Sequence, residues 1–147
     1  MQLYNVRGMN AQEAMNWSDG LALVAREQCV HDEDPTITKA TVDERIKKFG
    51  KASWSKGENV SVGGNNRTAL TIFLSFFWSR ENITKMTSFY HRELGSFTCQ
   101  ISGNGSYTTI NYADWFYTND EAGTLIDCLA ASDDQQYDCD NHHMETE

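Results

Sequence analysis

The sequence predicts an α+β domain, and three observations carry that expectation. Apolar residues recur at helical spacing between Gln12 and Cys29, and an apolar stretch from Arg67 to about Glu81 reads as another helix. Further on, two strand-like stretches flank Gly103-Asn104-Gly105, a strong hairpin signal because Asn-Gly supplies the positive φ angles of a tight turn.

The elements follow in order. Ala14, Trp17, Leu21, Val24 and Ala25 mark the first helix, with Ser18 or Asp19 as cap for a start near Trp17. His31-Asp32-Glu33-Asp34-Pro35 ends it, since proline cannot continue a helix. Thr41 to Phe49 is a short second helix: Thr41 with Glu44 three residues on forms a capping-box pattern, and Gly50 closes it. Lys51 to Gly64 reads as a loop, and Arg67 to about Glu81 as the third helix. Leu94–Ser102 and Ser106–Tyr112 are the strands, and Ala122–Ala131 is a last helical piece. The aromatics Phe73, Phe76, Phe77 and Trp78 are expected in the core, as is Trp115-Phe116-Tyr117, where a partly exposed cluster would suit a lipid or protein.

At 147 residues the chain has the length of one domain, and 39% apolar with 12% aromatic residues is a globular composition. No apolar run reaches the roughly 18 residues that a membrane span needs, and Thr68–Trp78 is better read as a core helix. The net charge of −9 is uneven: residues 1–92 hold all 12 basic residues against 10 acidic ones, whereas residues 93–147 hold 11 acidic residues and no basic one. No cationic face for phosphates emerges, which argues against a nucleic-acid partner. The acidic end solvates a tail or meets a cation or a basic partner.

Four cysteines without a Cys-x-x-Cys pair favour disulfides over a zinc knuckle. Five Asn-x-Ser/Thr sequons, at Asn16, Asn59, Asn66, Asn82 and Asn104, exceed what this composition gives by chance. Together these features predict a secreted, extracellular protein. Met1-Gln2-Leu3-Tyr4 lacks the basic and apolar regions of a signal peptide, so a secreted chain is expected to be a mature form or a segment of a longer precursor. Cys128 and Cys139, eleven apart, are the expected pair for stapling the tail, which leaves Cys29 with Cys99 among three possible connectivities.

Taken in order, these features resemble the CAP superfamily of cysteine-rich secretory, antigen 5 and pathogenesis-related 1 proteins, with features of its short bacterial branch. Met15-Asn16-Trp17-Ser18-Asp19-Gly20-Leu21-Ala22, with Ala25, is similar to the family's first helix, and His31 to the histidine after it. Asp43-Glu44-Arg45-Ile46 followed by Gly50 resembles the short branch's Asp-Arg-Ile segment, and Gly57-Glu58-Asn59-Val60 the Gly-Glu-Asn signature. Glu93-Leu94-Gly95 and Asn111-Tyr112 resemble the terminal strands. The resemblance covers about residues 3–117; it implies a CAP domain over 1–117, with 118–147 as an acidic, disulfide-stapled extension. It also implies a three-layer α-β-α sandwich, usually secreted and usually a binding module, associated with sterols, fatty acids and protein partners.

Family members often hold a divalent metal on two His and two Glu in a cleft, a donor set that suits zinc. His31 and Glu58 match two of these positions. The third falls on Glu81 if Trp78 is the family tryptophan, or on no acid if Phe76 is. The fourth, normally His, is Asn82, and His91 lies in the following loop. The resemblance therefore implies an impaired metal site, at most a weak zinc binder with no other cofactor. On the plainer reading His31 caps helix-end carbonyls, Glu58 satisfies loop amides, Asn59 is structural, and His142-His143 belongs to a solvated end. The expected glycan sites are Asn66 and Asn104, then Asn16, with Asn82 beside the cleft.

No Gly-x-Ser-x-Gly, His-Glu-x-x-His or other nucleophile constellation is visible. The leading expectation is a secreted glycosylated, non-enzymatic binding module for lipid, sterol or a protein partner. The alternatives are a metal-dependent hydrolase or protease built on His31 and Glu58, and a structural subunit of an extracellular assembly.

Overall fold

The computed structural model describes residues 14–29, 40–64, 66–88, 90–101, 105–131 and 139. His31, Asn104, the residues around Pro35, most of the hairpin turn and His142-His143 lie outside them.

Strand β1 (Asn16–Trp17) leads into helix α1 (Asp19–Arg26), where the Ser18 side chain accepts a hydrogen bond from Leu21 N and so satisfies one free amide of the first turn. Helix α2 (Val42–Phe49) carries the full capping box: Thr41 Oγ1 accepts from Glu44 N, and Glu44 Oε2 accepts from Thr41 N. Gly50, in extended backbone, passes the chain directly into β2 (Gly50–Ala52), and β3 (Lys56–Gly64) follows. Residues 51–64, expected as a loop, are therefore mostly strand. Hydrophobic alternation is muted here because Glu58, Asn59 and Ser61 occupy inward positions and meet polar partners instead of apolar ones.

The expected third helix is two helices. Helix α3 (Ala69–Ser75) runs into a single 3-10 turn (Phe76–Trp78), and α4 (Arg80–Thr87) restarts with Ser79 as its cap. The break turns the aromatics in different directions. Phe76 is buried, but Phe77 is exposed and Trp78 is 92% exposed, so the expectation of a uniformly buried aromatic helix is corrected. Strands β4 (Glu93–Ile101) and β5 (Gly105–Ala113) form the hairpin, then come β6 (Phe116–Thr118) and α5 (Asp120–Ala131).

The main sheet has the order β1-β4-β5-β3, parallel only between β1 and β4. A second, two-stranded sheet pairs β2 with β6. Two cores lie on opposite faces of the main sheet. One gathers Leu21 and Val24 of α1, Ile46 and Phe49 of α2, Ala113, Phe116, and Ala122 and Leu125 of α5. The other gathers Phe76, Met86 and Tyr112, with Ile72, Phe73, Leu94 and Ile110 packed around them. Ala113 and Tyr112 are neighbours in β5, so pleat alternation sends them to opposite cores. The result is three layers: α1, α2 and α5, then the sheet, then α3 and α4.

Gly95 sets how closely α1 lies on the sheet, since a Cβ there would fall 2.1 Å from Ala22 N and 2.5 Å from Leu21 C. A disulfide ties Cys29, three residues past α1, to Cys99 of β4, and a second ties Cys128 of α5 to the buried Cys139. No helix among the described residues is long and apolar enough to cross a membrane.

Candidate functional site

Glu58 is the third residue of β3, paired in register with Asn111 of β5. Its carboxylate is only 15% exposed and, among the described residues, receives three side-chain donors. Arg45 Nη2 donates to Oε2 at 2.5 Å, Asn111 Nδ2 to the same oxygen at 2.9 Å, and Gln28 Nε2 to Oε1 at 3.2 Å. Arg45 is 2% exposed, and its Nη1 donates to Val24 O at the end of α1. One buried ion pair thus joins α1, α2 and the sheet. A buried charge is tolerated only when paired and hydrogen-bonded, and here both Arg45 terminal nitrogens and both Glu58 oxygens are engaged, while Arg45 Nε is buried without a hydrogen-bond partner among the described residues. Arg45 was not singled out from the sequence. The available signal was its place on the apolar side of α2, four residues before Phe49 and three after Val42.

Asn59, the next residue, points the other way. Its Nδ2 donates to Asn82 O at 3.1 Å and to Tyr112 Oη at 3.2 Å, pinning the start of α4 to the sheet. Burial raises the Tyr112 hydroxyl well above its ordinary pKa, with the Asn59 bond opposing, so it stays protonated. His91, buried on this same face, stacks on Tyr112 at 5.2 Å and donates from Nδ1 to Lys85 O at 2.8 Å. Gly57 makes room for it, since a Cβ there would lie 3.0 Å from His91 Cε1.

The cleft candidates therefore fall on two sides of the sheet. Glu58 faces α1 and α2. Asn59, Asn82 and His91 belong to the α4 face, and Glu81 is an exposed residue there, paired with Lys85 at 3.2 Å. Lys85 also donates to Glu58 O, the backbone atom. Consecutive strand residues alternate faces, which is why two neighbours of one signature serve different layers. His31, the other expected ligand, lies outside the described residues. Among the described residues, no group of three or more His, Cys, Asp and Glu is close enough together to hold a metal. Of the sequon residues, Asn16 and Asn66 are exposed, Asn82 is half-buried and Asn59 is buried.

A separate feature lies at the loops beyond the sheet. Trp54, Tyr90, Arg92, Asp114 and Trp115 line an open cavity of about 370 Å³. Trp54 and Tyr90 meet edge to face at 4.8 Å. Asp114 Oδ1 accepts from both Trp54 N and Ser55 N at 3.2 Å. Burial alone would raise its pKa, but the amides of Trp115, Trp54 and Ser55 and its own outweigh that and hold the carboxyl below its ordinary value.

No family model and no curated protein matches the sequence. Solved structures do match. An outer surface protein of Borrelia burgdorferi superposes with a TM-score of 0.64 at 16% identity, over 76% of this chain and 86% of that one. An extracellular SCP-domain protein of Bacillus anthracis gives 0.56 at 14% identity, over 76% of this chain and 39% of that one. A cysteine-rich secretory protein of Staphylococcus aureus gives 0.55 at 15% identity, over 78% and 37%. The chain spans less than two-fifths of the length of these last two proteins. Joined to the layer order, the strand pairing and the Gly-Glu-Asn strand, these likenesses establish that the chain has the CAP-type α-β-α fold.

Proposed function

We propose that the chain is a secreted, non-catalytic CAP-type module that binds a lipid or a protein partner. The observation that carries this reading is the commitment of Glu58. A carboxylate bound by Arg45, Asn111 and Gln28 has most of its acceptor capacity committed within the fold, and among the described residues no cluster of metal-ligating side chains surrounds it. Support for binding comes from the outer helical layer. Leu70, Leu74, Phe77 and Trp78 are exposed at one-turn intervals, and Ala69–Trp78 carries no charge. Secretion is supported by the two disulfides, and the solved proteins of this fold include ones described as extracellular or secretory. Glycans at Asn16 and Asn66 fit their exposure.

The test has two arms. Vesicle flotation, with and without sterol, compares the wild type with Leu74→Glu and Trp78→Glu, with native serum or tissue extract as the protein-partner arm. Loss of capture in these variants, with folding intact, supports the reading. In the second arm, zinc titration by calorimetry uses His31→Ala and Glu58→Gln as controls. Micromolar zinc binding that depends on both residues would overturn it in favour of metal chemistry.

A further inference from the structure

We infer that the loop cavity lined by Trp54, Tyr90, Trp115, Arg92 and Asp114 is a binding site for a zwitterionic phosphocholine group. Its quaternary ammonium is held among the three rings beside Asp114, and its phosphate by Arg92. The site is independent of the apolar ridge on α3.

Three loops converge here: residues 53–55 between β2 and β3, residues 90–92 before β4, and residues 114–115 between β5 and β6. Each contributes an aromatic ring that stays mostly in water: Trp54 is 67% exposed, Tyr90 53% and Trp115 54%. Trp54 and Tyr90 meet edge to face and Trp115 leans on Tyr117, yet each ring around the cavity keeps more than half of its surface in water, aromatic area that a ligand would cover. Ring faces carry negative quadrupole charge and attract cations, and groups of them recognise quaternary ammonium. The open cavity of about 370 Å³ has room for a small head group.

The charges narrow the choice. Asp114 is fixed by the two loop amides and stays ionised at neutral pH, so the wall carries an anion for the ammonium. Arg92 springs from a pinned backbone: its N–H donates to Ala113 O and its carbonyl accepts from Asn16 N, both at 2.9 Å. Its exposed guanidinium makes no ion pair among the described residues, and a guanidinium fork suits phosphate oxygens. A neutral sugar or a proline-rich peptide would use the rings but neither charge. A ligand with both charges, one of them a bulky alkylated cation, uses every group in the lining.

The experiment is calorimetric titration of the intact, disulfide-bonded protein with phosphocholine, choline, inorganic phosphate, a neutral hexose, and the phosphate ester of 3,3-dimethylbutanol, the uncharged carbon isostere of choline. Phosphocholine is expected to bind most tightly. Trp54→Ala and Trp115→Ala each weaken it about tenfold, matching a desolvated cation–π contact. Arg92→Gln lowers phosphocholine affinity to that of choline and leaves choline itself unchanged. All three positions are exposed, and near-ultraviolet circular dichroism verifies folding. A further arm uses phosphatidylcholine vesicles: co-sedimentation places the group on a membrane, and binding of only the free form places it on a soluble carrier. Equal affinity for the phosphate ester whose carbon head replaces the ammonium, preference for the hexose, or no phosphocholine binding at millimolar concentration by a folded protein overturns the assignment.

Discussion

Replacing Glu58 with alanine separates a structural carboxylate from a metal ligand. The substitution leaves Arg45, 2% exposed, with a buried positive charge whose remaining partner is Val24 O. Removing one member of a buried pair costs about 3–5 kcal/mol. The orphaned amides of Asn111 and Gln28 each carry a penalty of about 1–3 kcal/mol, part of which overlaps with the first figure because the groups relax together. About 4 kcal/mol is therefore expected, a large part of the roughly 5–15 kcal/mol that holds a domain folded. For a chain of this length that is a fall in Tm of about 8–16 °C. Glu58→Gln keeps the shape and an acceptor oxygen, and is expected to lose only about 1.5–3 kcal/mol. Urea unfolding followed by tryptophan fluorescence, with disulfides intact, measures both. Arg45→Met completes a double-mutant cycle with a coupling of about 2 kcal/mol. If Glu58→Ala costs under about 1 kcal/mol and instead abolishes zinc binding, the structural assignment is wrong.

Three further outcomes are expected. Gly95→Ala puts a methyl 2.1 Å from the Ala22 backbone nitrogen, where no side chain can yield, so a loss of about 1–3 kcal/mol or more is expected in the same unfolding assay. Cys29→Ser with Cys99→Ser opens a crosslink spanning 70 residues, with an expected loss of about 3–5 kcal/mol by chemical unfolding, larger than for Cys128→Ser with Cys139→Ser, whose span is 11. Acid stability involves two carboxyls of opposite sign. Asp114 has a lowered pKa, so its contribution is complete above its unfolded value near 3.8 and disappears as pH falls through the folded value. Glu93 is raised by burial, with the Phe116 amide opposing and Asp114 adding, so its ionisation removes stability as pH rises through its folded value above 4.5. In urea midpoints from pH 3 to 7, Asp114→Asn flattens the acid limb, and Glu93→Gln raises stability at the neutral end.

Much of the fold was legible. Thr41 with Glu44, and Ser18 ahead of a helical repeat, are caps whose partners lie within one turn, so local sequence contains the whole interaction. The hairpin strands were legible for the same reason. The signature at Gly57-Glu58-Asn59 points to the architecture but reads as loop, because its inward side chains are polar and a hydrophobic pattern is blind to them. Trp54, in the turn between β2 and β3, meets Tyr90 only through the fold, so no local pattern marks it as part of a surface lining.

The sequence by itself determined the helix starts, the strand pair, the CAP-type order of elements and the acidic end. These depend on capping, periodicity and composition, all short-range properties of a chain. Only the tertiary structure decided that Glu58 and Asn59 serve opposite layers. Glu58 meets Arg45 across 13 residues and Asn111 across 53, while Asn59 reaches Asn82 across 23. The pleat of one strand divides them, and which helix covers each face is set by packing. Whether a carboxylate is a ligand or half of a buried ion pair is thus a property of its neighbours in space.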